Sequence, residues 1–237
     1  MAQVTRDESR ASTAIPAPES LTFGERITTF NRYRKWRLFL DRVDPKPEDR
    51  ILDVGYTDLE YRLTDNLLEK HYPNRDMITA LGVDDPVHFT HRYPEIEAVK
   101  YDGERFPFPD GAFDVAWSNA VLEHVGTADA RAERQTLFLS EVQRVAKRAF
   151  ITTPNRWFPL EIHTRTPLLH WLPKPMFDAY LRWRGQAWAA GDYMTLLSEQ
   201  DLRARLAAAG IERYELIKNR FGPLTADFVV IINQAGT

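Results

Sequence analysis

The chain has 237 residues, 43% hydrophobic and 27% charged, so it is long and apolar enough to bury one large core. The absence of cysteine excludes disulfides, thiolate metal ligands and a cysteine nucleophile, and the formal net charge of −3 argues against a general nucleic-acid-binding protein. No apolar run approaches the roughly 20 residues that cross a bilayer, and no signal peptide is recognisable, so the sequence favours a cytoplasmic protein.

The N-terminal part of the chain is predicted to hold a leader, a helix and a first strand. Residues 1–20 are small and polar, which favours a flexible leader, and residues 21–237 are predicted to form one domain. Apolar residues recur at spacings of three and four over 21–43, which indicates a helix, and its Arg and Lys side chains predict a solvated basic face. Residues 50–55 form a short apolar run ending in glycine, typical of a buried parallel strand.

Strand and helix patterns alternate through the middle of the chain. The further predicted strands are 77–85, 97–103, 113–119 and 148–154, and the predicted helices are 58–71 and 129–146, with a short helix or irregular segment at 86–93. Asp58 is the expected N-cap of the first of these helices. Such alternation predicts a parallel sheet with helices on both faces.

The C-terminal part interrupts this alternation and then resumes it. Residues 155–190 contain four prolines and four of the six tryptophans, which indicates an inserted lid over the substrate. A helix is predicted over 198–209, with Ser198 as its N-cap. The strands predicted at 211–218 and 226–233 are joined by a short loop, so we expect an antiparallel hairpin at the sheet edge.

Acidic residues end three consecutive strands of the predicted sheet. Asp53 ends the first, Asp84 the second and Asp102 the third. Ligands of open α/β sheets bind outside the carboxyl ends of the strands, where a ribose diol or an adenine amino group would satisfy such carboxylates. The alternative, that each acid caps the following helix, explains any one of them but accounts less well for all three together.

The motifs at these strand ends resemble the class I S-adenosylmethionine (SAM)-dependent methyltransferases, in their small-molecule branch. The matching segments are ILDVG, ALGVDD, YDGERFPFPDGAFDVAWSNAVLEHVG and ITTPNRWFPLEIHT. The likeness covers residues 50–155 well and 198–233 more loosely. It implies a Rossmann-like, doubly wound sheet of seven mainly parallel strands with a C-terminal antiparallel edge strand, an N-terminal helix and an inserted helical lid.

The resemblance also implies a role for individual residues. It places Asp53 and Gly55 beside the methionine part of SAM, Asp84 at the ribose hydroxyls, Asp102 and Gly103 near the adenine amino group, and Asn119 under the methionine and sulfonium end.

The cofactor loop departs from the family pattern GxGxG. Gly55 is kept, but Thr57 and Leu59 replace the other two glycines, and the Thr57 hydroxyl is an alternative contact for the cofactor carboxylate. This departure motivates two alternative hypotheses. One is a methyltransferase-fold enzyme that no longer transfers methyl, and the other is a non-catalytic binding or scaffold protein.

The resemblance predicts methyl transfer to a small, apolar or aromatic metabolite, on oxygen. The sulfonium methyl is already activated, so the protein aligns the reactants, excludes water and supplies a base where the acceptor is a hydroxyl. The candidate bases are His163, which follows the fifth strand, and His124, whose alternative role is packing at a helix start. No cluster of acids and histidines has metal-ligand spacing, so no metal is predicted. Lid aromatics such as Trp157 and Trp171 are expected to line the substrate pocket, with peripheral membrane contact as an alternative for some of them.

Overall fold

The alternation of strands and helices predicted from the sequence is present in the structure. The computed structural model describes residues 23–127, 129–161 and 163–233, so the predicted leader at 1–20 lies outside the described residues. The strands are β1 (Ile51–Val54), β2 (Ile78–Gly82), β3 (Glu97–Lys100), β4 (Phe113–Asn119), β5 (Ala146–Pro154), β6 (Leu160–Glu161), β7 (Thr166–Pro167), β8 (Tyr214–Phe221) and β9 (Leu224–Asn233). The helices are α1 (Phe23–Arg42), α2 (Leu67–His71), α3 (Val87–Arg92), α4 (Arg131–Val145), α5 (Lys174–Trp183) and α6 (Glu199–Ala208).

Seven of these strands form one sheet, in the order β3-β2-β1-β4-β5-β9-β8. Strands β1 to β5 pair in parallel, while β9 runs antiparallel to both of its neighbours, β5 and β8. The predicted α/β class is confirmed, with the antiparallel strand one position inside the edge. Because the strand order reverses between β1 and β4, the ligand crevice is expected outside the carboxyl ends of these two strands.

Helices cover both faces of the sheet. On one face, α1 packs Phe39 against Trp117 of β4, with ring centroids 4.8 Å apart, and Trp117 stacks on Phe150 of β5 at 5.1 Å. On the other face, α4 and α6 bury an aliphatic layer that includes Leu139, Val142, Leu202 and Leu206. The sheet is therefore buried on both faces, as the apolar runs of its strands predict.

One basic side chain of α1 is buried, although the sequence predicts a solvated basic face. Lys35 is 3% exposed, and its Nζ lies 3.4 Å from Asp227 Oδ1 on β9. The other oxygen of this carboxylate accepts a 2.6 Å hydrogen bond from the Asn31 amide. The prediction of a solvated basic face is wrong at Lys35. A lysine can be buried when an opposite charge lies beside it, and Asp227 of β9 provides that charge.

The helix predicted over 58–71 is also wrong in extent, since only α2 (Leu67–His71) is helical. Asp58 caps a different helix: its Oδ1 accepts hydrogen bonds from the backbone amides of His88 at 2.7 Å and Phe89 at 2.8 Å, at the start of α3. Asn66 has a φ of 49°, in the left-handed region, which prevents the helix from extending toward Asp58. The segment between β1 and α2 is consequently a long loop.

The inserted segment at 155–190 contains the hairpin β6–β7 and helix α5. Phe177 of α5 is buried in a small cluster with Leu181 and Ala189. The tryptophans lie toward solvent, with exposed fractions of 55% for Trp157, 40% for Trp171, 82% for Trp183 and 55% for Trp188. Within the described residues, no helix is both long and apolar enough to span a membrane.

Candidate functional site

The carboxyl ends of β2 and β3 carry two exposed acids side by side. The register pairs Gly82 with Lys100, so Asp84 and Asp102 each lie two residues beyond the same paired position. Both are exposed, and among the described residues the Asp84 carboxylate makes no hydrogen bond or ion pair. Asp102 uses Oδ1 to accept a 2.9 Å bond from the Glu104 amide. This edge is therefore accessible to a ligand that donates hydrogen bonds.

Gly103 leaves the space beside these acids open. Its φ is +84°, and an added Cβ would meet only Val83 Cγ1, at 3.8 Å. Since a left-handed backbone disfavours any side chain, glycine here keeps a bend without filling the surface. The observation is compatible with a planar group lying against the backbone beside Asp102.

The ends of β1 and β4 bring Gly55 and Asn119 together in the same way. Asp53 pairs with Trp117, so each of the two residues lies two positions beyond this pair. Gly55 has a φ of +103°, and a Cβ there would approach Val121 Cγ2 to 2.4 Å, so this glycine is needed for the segment after β4 to pack. Asn119 Oδ1 accepts a 2.8 Å bond from Thr152 Oγ1.

The loop after β1, in which Thr57 and Leu59 replace two glycines of the family pattern, is stabilised by the side chains of Asn66 and Tyr56. Thr57 N donates to Asn66 Oδ1 at 2.9 Å, and Asn66 Nδ2 donates back to Thr57 O at 2.8 Å. The Tyr56 hydroxyl donates to the backbone oxygen of Asp84 at 2.5 Å, and its ring fills the space above Gly82. The Thr57 amide is therefore already paired, so this loop presents a different surface to a ligand than a glycine-rich loop does.

Asp53 is buried beside a second acid. It is 5% exposed, and Glu69 of α2 is fully buried. Burial and the charge of Glu69 raise the pKa of Asp53 well above its usual value, and burial raises the pKa of Glu69. The two carboxyl groups share one apolar environment, so in the structure the predicted cofactor residue Asp53 contacts α2 through an acid pair.

The predicted bases His124 and His163 lie together and form a group with Glu123. Ligand-capable atoms of these three side chains all lie within 4.8 Å of one another, and the imidazole rings are 5.1 Å apart, edge to face. His124 belongs to the 3-10 turn Leu122–His124 after β4, while His163 follows β6. Residues far apart in the chain thus form one group.

Hydrogen bonds fix the orientation of both imidazoles. His124 Nδ1 donates to the backbone oxygen of Tyr193 at 2.9 Å. His163 Nδ1 donates to Glu161 Oε1 at 2.8 Å, and the Thr164 amide donates to the other oxygen at 2.6 Å. Burial raises the pKa of Glu161, but the hydrogen bonds and charge of His163 outweigh it and lower this pKa to about 2. Burial and the charge of His163 lower the pKa of His124.

Several residues of this site were not identified from the sequence. Glu161 orients His163 from two positions away because the turn after β6 folds the carboxylate back onto the His163 and Thr164 amides. Glu123 is adjacent to His124, which was a predicted base. The buried carboxylate of Glu123 accepts a 3.1 Å hydrogen bond at Oε2 from Thr153 Oγ1 of β5, a contact that the sequence does not show. Tyr193 lies just beyond the predicted lid. In the sequence, these contacts are indicated only by the acidic and basic residues in LEHV (122–125) and LEIHT (160–164).

Comparison with known proteins gives a family match over the middle of the chain. Residues 73–149, about a third of the chain, match the family described as "Methyltransferase domain". The matched region begins before β2 and ends in β5, so it includes Asp84, Asp102 and Asn119. No curated protein matches the sequence significantly.

Solved structures match the fold over most of the chain. A SAM-dependent methyltransferase from Aquifex aeolicus aligns with a TM-score of 0.54 and 15% sequence identity, over 89% of this chain and 98% of its own. A chain from the complex of the Haloferax volcanii Trm112 methyltransferase activator with a methyltransferase aligns with a TM-score of 0.51 and 12% identity, over 87% of this chain and 92% of its own. At these identities the likeness establishes the fold.

Proposed function

We propose that the chain is a class I SAM-dependent methyltransferase that transfers a methyl group to the oxygen of a small, apolar or aromatic molecule; the methyltransferase-domain match over residues 73–149 and the shared fold support this proposal. The observation that carries this proposal is the arrangement at the carboxyl edge of the sheet. Exposed acids follow β2 and β3, Asn119 ends β4, and His124, in the turn after β4, is grouped with His163.

The nucleoside half of the cofactor fits the residues that are present. Asp84 would accept hydrogen bonds from the ribose hydroxyls and Asp102 from the adenine amino group, while Gly103 leaves room beside them. The methionine half would contact Gly55, Thr57 and Asn119. When bound, the cofactor supplies a methyl group on a positively charged sulfur, already activated toward a nucleophile.

The side chains around the histidines suit an acceptor hydroxyl. Because Glu161 accepts from Nδ1 of His163, the lone pair of the neutral ring is on Nε2, where it can take a proton. Tyr193 packs on His124 with ring centroids 4.8 Å apart, and Trp188 packs on Tyr193 at 5.1 Å. These rings supply an aromatic wall next to the proposed base, which favours an apolar or aromatic acceptor.

The first test is methyl transfer from labelled SAM to a panel of hydroxylated apolar and aromatic compounds. For an acceptor that turns over, we expect His163→Ala to lower kcat by at least about 100-fold, the usual contribution of a general base, with SAM affinity nearly unchanged. The matched control is His91→Ala, which removes an exposed histidine of α3 and leaves both quantities unchanged.

Two outcomes would contradict this assignment. A parallel loss of SAM affinity in His163→Ala would place this side chain in the cofactor site or in the structural core. Unchanged turnover would remove it from the mechanism, and His124 would then be the next candidate. Transfer to no oxygen acceptor, with transfer to an amine or thiol instead, would overturn the oxygen part of the proposal.

A further inference from the structure

The group formed by Glu123, His124 and His163 has the composition of a metal site. Two imidazoles and one carboxylate are a common ligand set for divalent transition metals, with the remaining coordination positions open to water or substrate. Their ligand-capable atoms lie within 4.8 Å of one another, and His163 Nε2 is 3.9 Å from Glu123 Oε1. The sequence predicted no metal because Glu123 and His124 are adjacent and His163 is distant in the chain.

Both imidazoles leave Nε2 as a ligand atom. A backbone oxygen can only accept, so His124 Nδ1, at 2.9 Å from Tyr193 O, carries the proton. An ionised Glu161 likewise only accepts, so His163 Nδ1, at 2.8 Å, carries the proton as well. In the neutral form of each ring, Nε2 then has a free lone pair. Bonds of this kind, to a carboxylate or a backbone oxygen, orient the metal-binding histidines of known sites.

The carboxylate of Glu123 has an oxygen without a partner. Glu123 is fully buried, and its Oε2 accepts a bond from Thr153 Oγ1 at 3.1 Å, whereas Oε1 has no hydrogen-bond partner among the described residues. Burying an unpaired carboxylate oxygen is costly unless a cation or a donor compensates it. Oε1 lies 3.9 Å from His163 Nε2, so the oxygen without a hydrogen-bond partner faces this imidazole.

The backbone that carries the first two ligands is rigidly held. The Glu123 carbonyl accepts from the Thr195 amide at 2.8 Å and from the Arg131 guanidinium at 3.3 Å. The Leu122 carbonyl accepts from Gln135 Nε2 at 3.0 Å.

Tetrahedral coordination at about 2.1 Å places ligand atoms roughly 3.4 Å apart. Small side-chain rotations are therefore enough to contract the group around an ion.

We propose that Glu123, His124 and His163 bind a divalent transition-metal ion through a carboxylate oxygen and two Nε2 atoms, with Glu161, Tyr193 and Thr153 orienting these ligands. Imidazole ligands favour zinc, iron(II) or nickel over magnesium. The cluster is half-buried, so a water or an acceptor oxygen can complete the coordination.

The role of the ion rests on the proposed function. An acceptor hydroxyl bound to the ion would have a lowered pKa and would lose its proton to water. Its oxygen would then attack the sulfonium methyl, forming the O–C bond as the C–S bond breaks and S-adenosylhomocysteine leaves. His163 would then act as a ligand, and the metal would replace it as the means of activating the hydroxyl. Metal binding itself requires neither SAM nor an acceptor, so it is tested independently of methyl transfer.

The test is titration of metal-stripped full-length protein with Zn²⁺ by calorimetry and with Co²⁺ by visible absorption, which reports coordination geometry. We expect one site per chain for each ion. Glu123→Gln keeps the bond from Thr153 but removes the charged ligand, and we expect it to weaken Zn²⁺ binding by more than tenfold, as does His163→Asn. Exposed His91→Ala is the matched control and leaves binding unchanged.

Circular dichroism and thermal melts of each variant separate loss of a ligand from loss of the fold. Folded variants that bind Zn²⁺ as well as the unchanged protein would overturn the proposal, as would the absence of saturable Zn²⁺ and Co²⁺ binding. Loss of binding in His91→Ala would assign the ion to the surface and overturn it equally. Metal binding without methyl transfer to any acceptor would leave the site standing and contradict the proposed function alone.

Discussion

Two adjacent acids at the end of β2 have different surroundings. The Asp85 carboxylate accepts a 2.8 Å hydrogen bond from Lys100 Nζ, whereas among the described residues the Asp84 carboxylate makes no hydrogen bond or ion pair. Lys100 compensates the charge of Asp85, whereas the carboxylate of Asp84 is available to a ligand. The pair therefore supplies a test and its control within one dipeptide.

We expect Asp84→Asn to weaken SAM binding by about ten- to a hundredfold, because a hydrogen bond to a charged group contributes about 1.5–3 kcal/mol. Asp85→Asn should leave the affinity nearly unchanged. Calorimetric titration of both variants with SAM, together with their melting temperatures, checks this. Equal affinities in the two variants would show that Asp84 does not hold the ribose.

At the scale of single elements, strand β1 and helix α2 meet at a buried pair of acids. Asp53 and Glu69 both have raised pKa values, with burial as the largest cause. A carboxyl group whose pKa is raised in the folded state stabilises the fold below its unfolded pKa, near 4, and loses that contribution as the pH rises through the folded pKa. The pair should therefore lower the stability of the native state progressively above about pH 5.

Glu69→Gln removes one of these titrating groups while keeping the shape and a hydrogen-bond donor for Asp53. We expect the melting temperature of the variant minus that of the unchanged protein to increase from pH 5 to pH 8. Each kcal/mol by which the substitution reduces the cost of burying charge should raise it by about 2–4 °C. Thermal melts across this range measure the difference. The exposed Glu48→Gln is the control, and a pH-independent difference for Glu69→Gln would mean that the acids are not coupled to folding.

An element can be predicted from the sequence when the contacts that stabilise it are local, and not when they are made by residues distant in the chain. Strand β4 occupies residues 113–119 as predicted, because a buried apolar run bounded by turns determines it locally. The helix predicted over 58–71 is short because Asn66 has a left-handed backbone and Asp58 caps α3 instead, which a local pattern cannot show. The histidine group was foreseen only as two separate candidates, since the approach of His163 to Glu123 depends on the turn after β6.

At the scale of the whole molecule, the strand order reverses between β1 and β4, and the proposed cofactor and acceptor sites meet at this point. The cofactor side is formed by the ends of β1 to β4. The acceptor side is formed by the segment after β5 and by residues near Tyr193. Under this proposal SAM would bind at the sheet and the acceptor at the inserted segment, where the exposed tryptophans also lie.

Calorimetric titration of the folded full-length chain with SAM and with S-adenosylhomocysteine tests the central claim most directly, because the loop around Thr57 and Asn66 differs from a glycine-rich cofactor loop. We expect saturable binding of both compounds, with one site per chain. Absence of heat with either compound, at high protein concentration and with a cooperative melt that confirms folding, would contradict SAM-dependent methyl transfer by this chain.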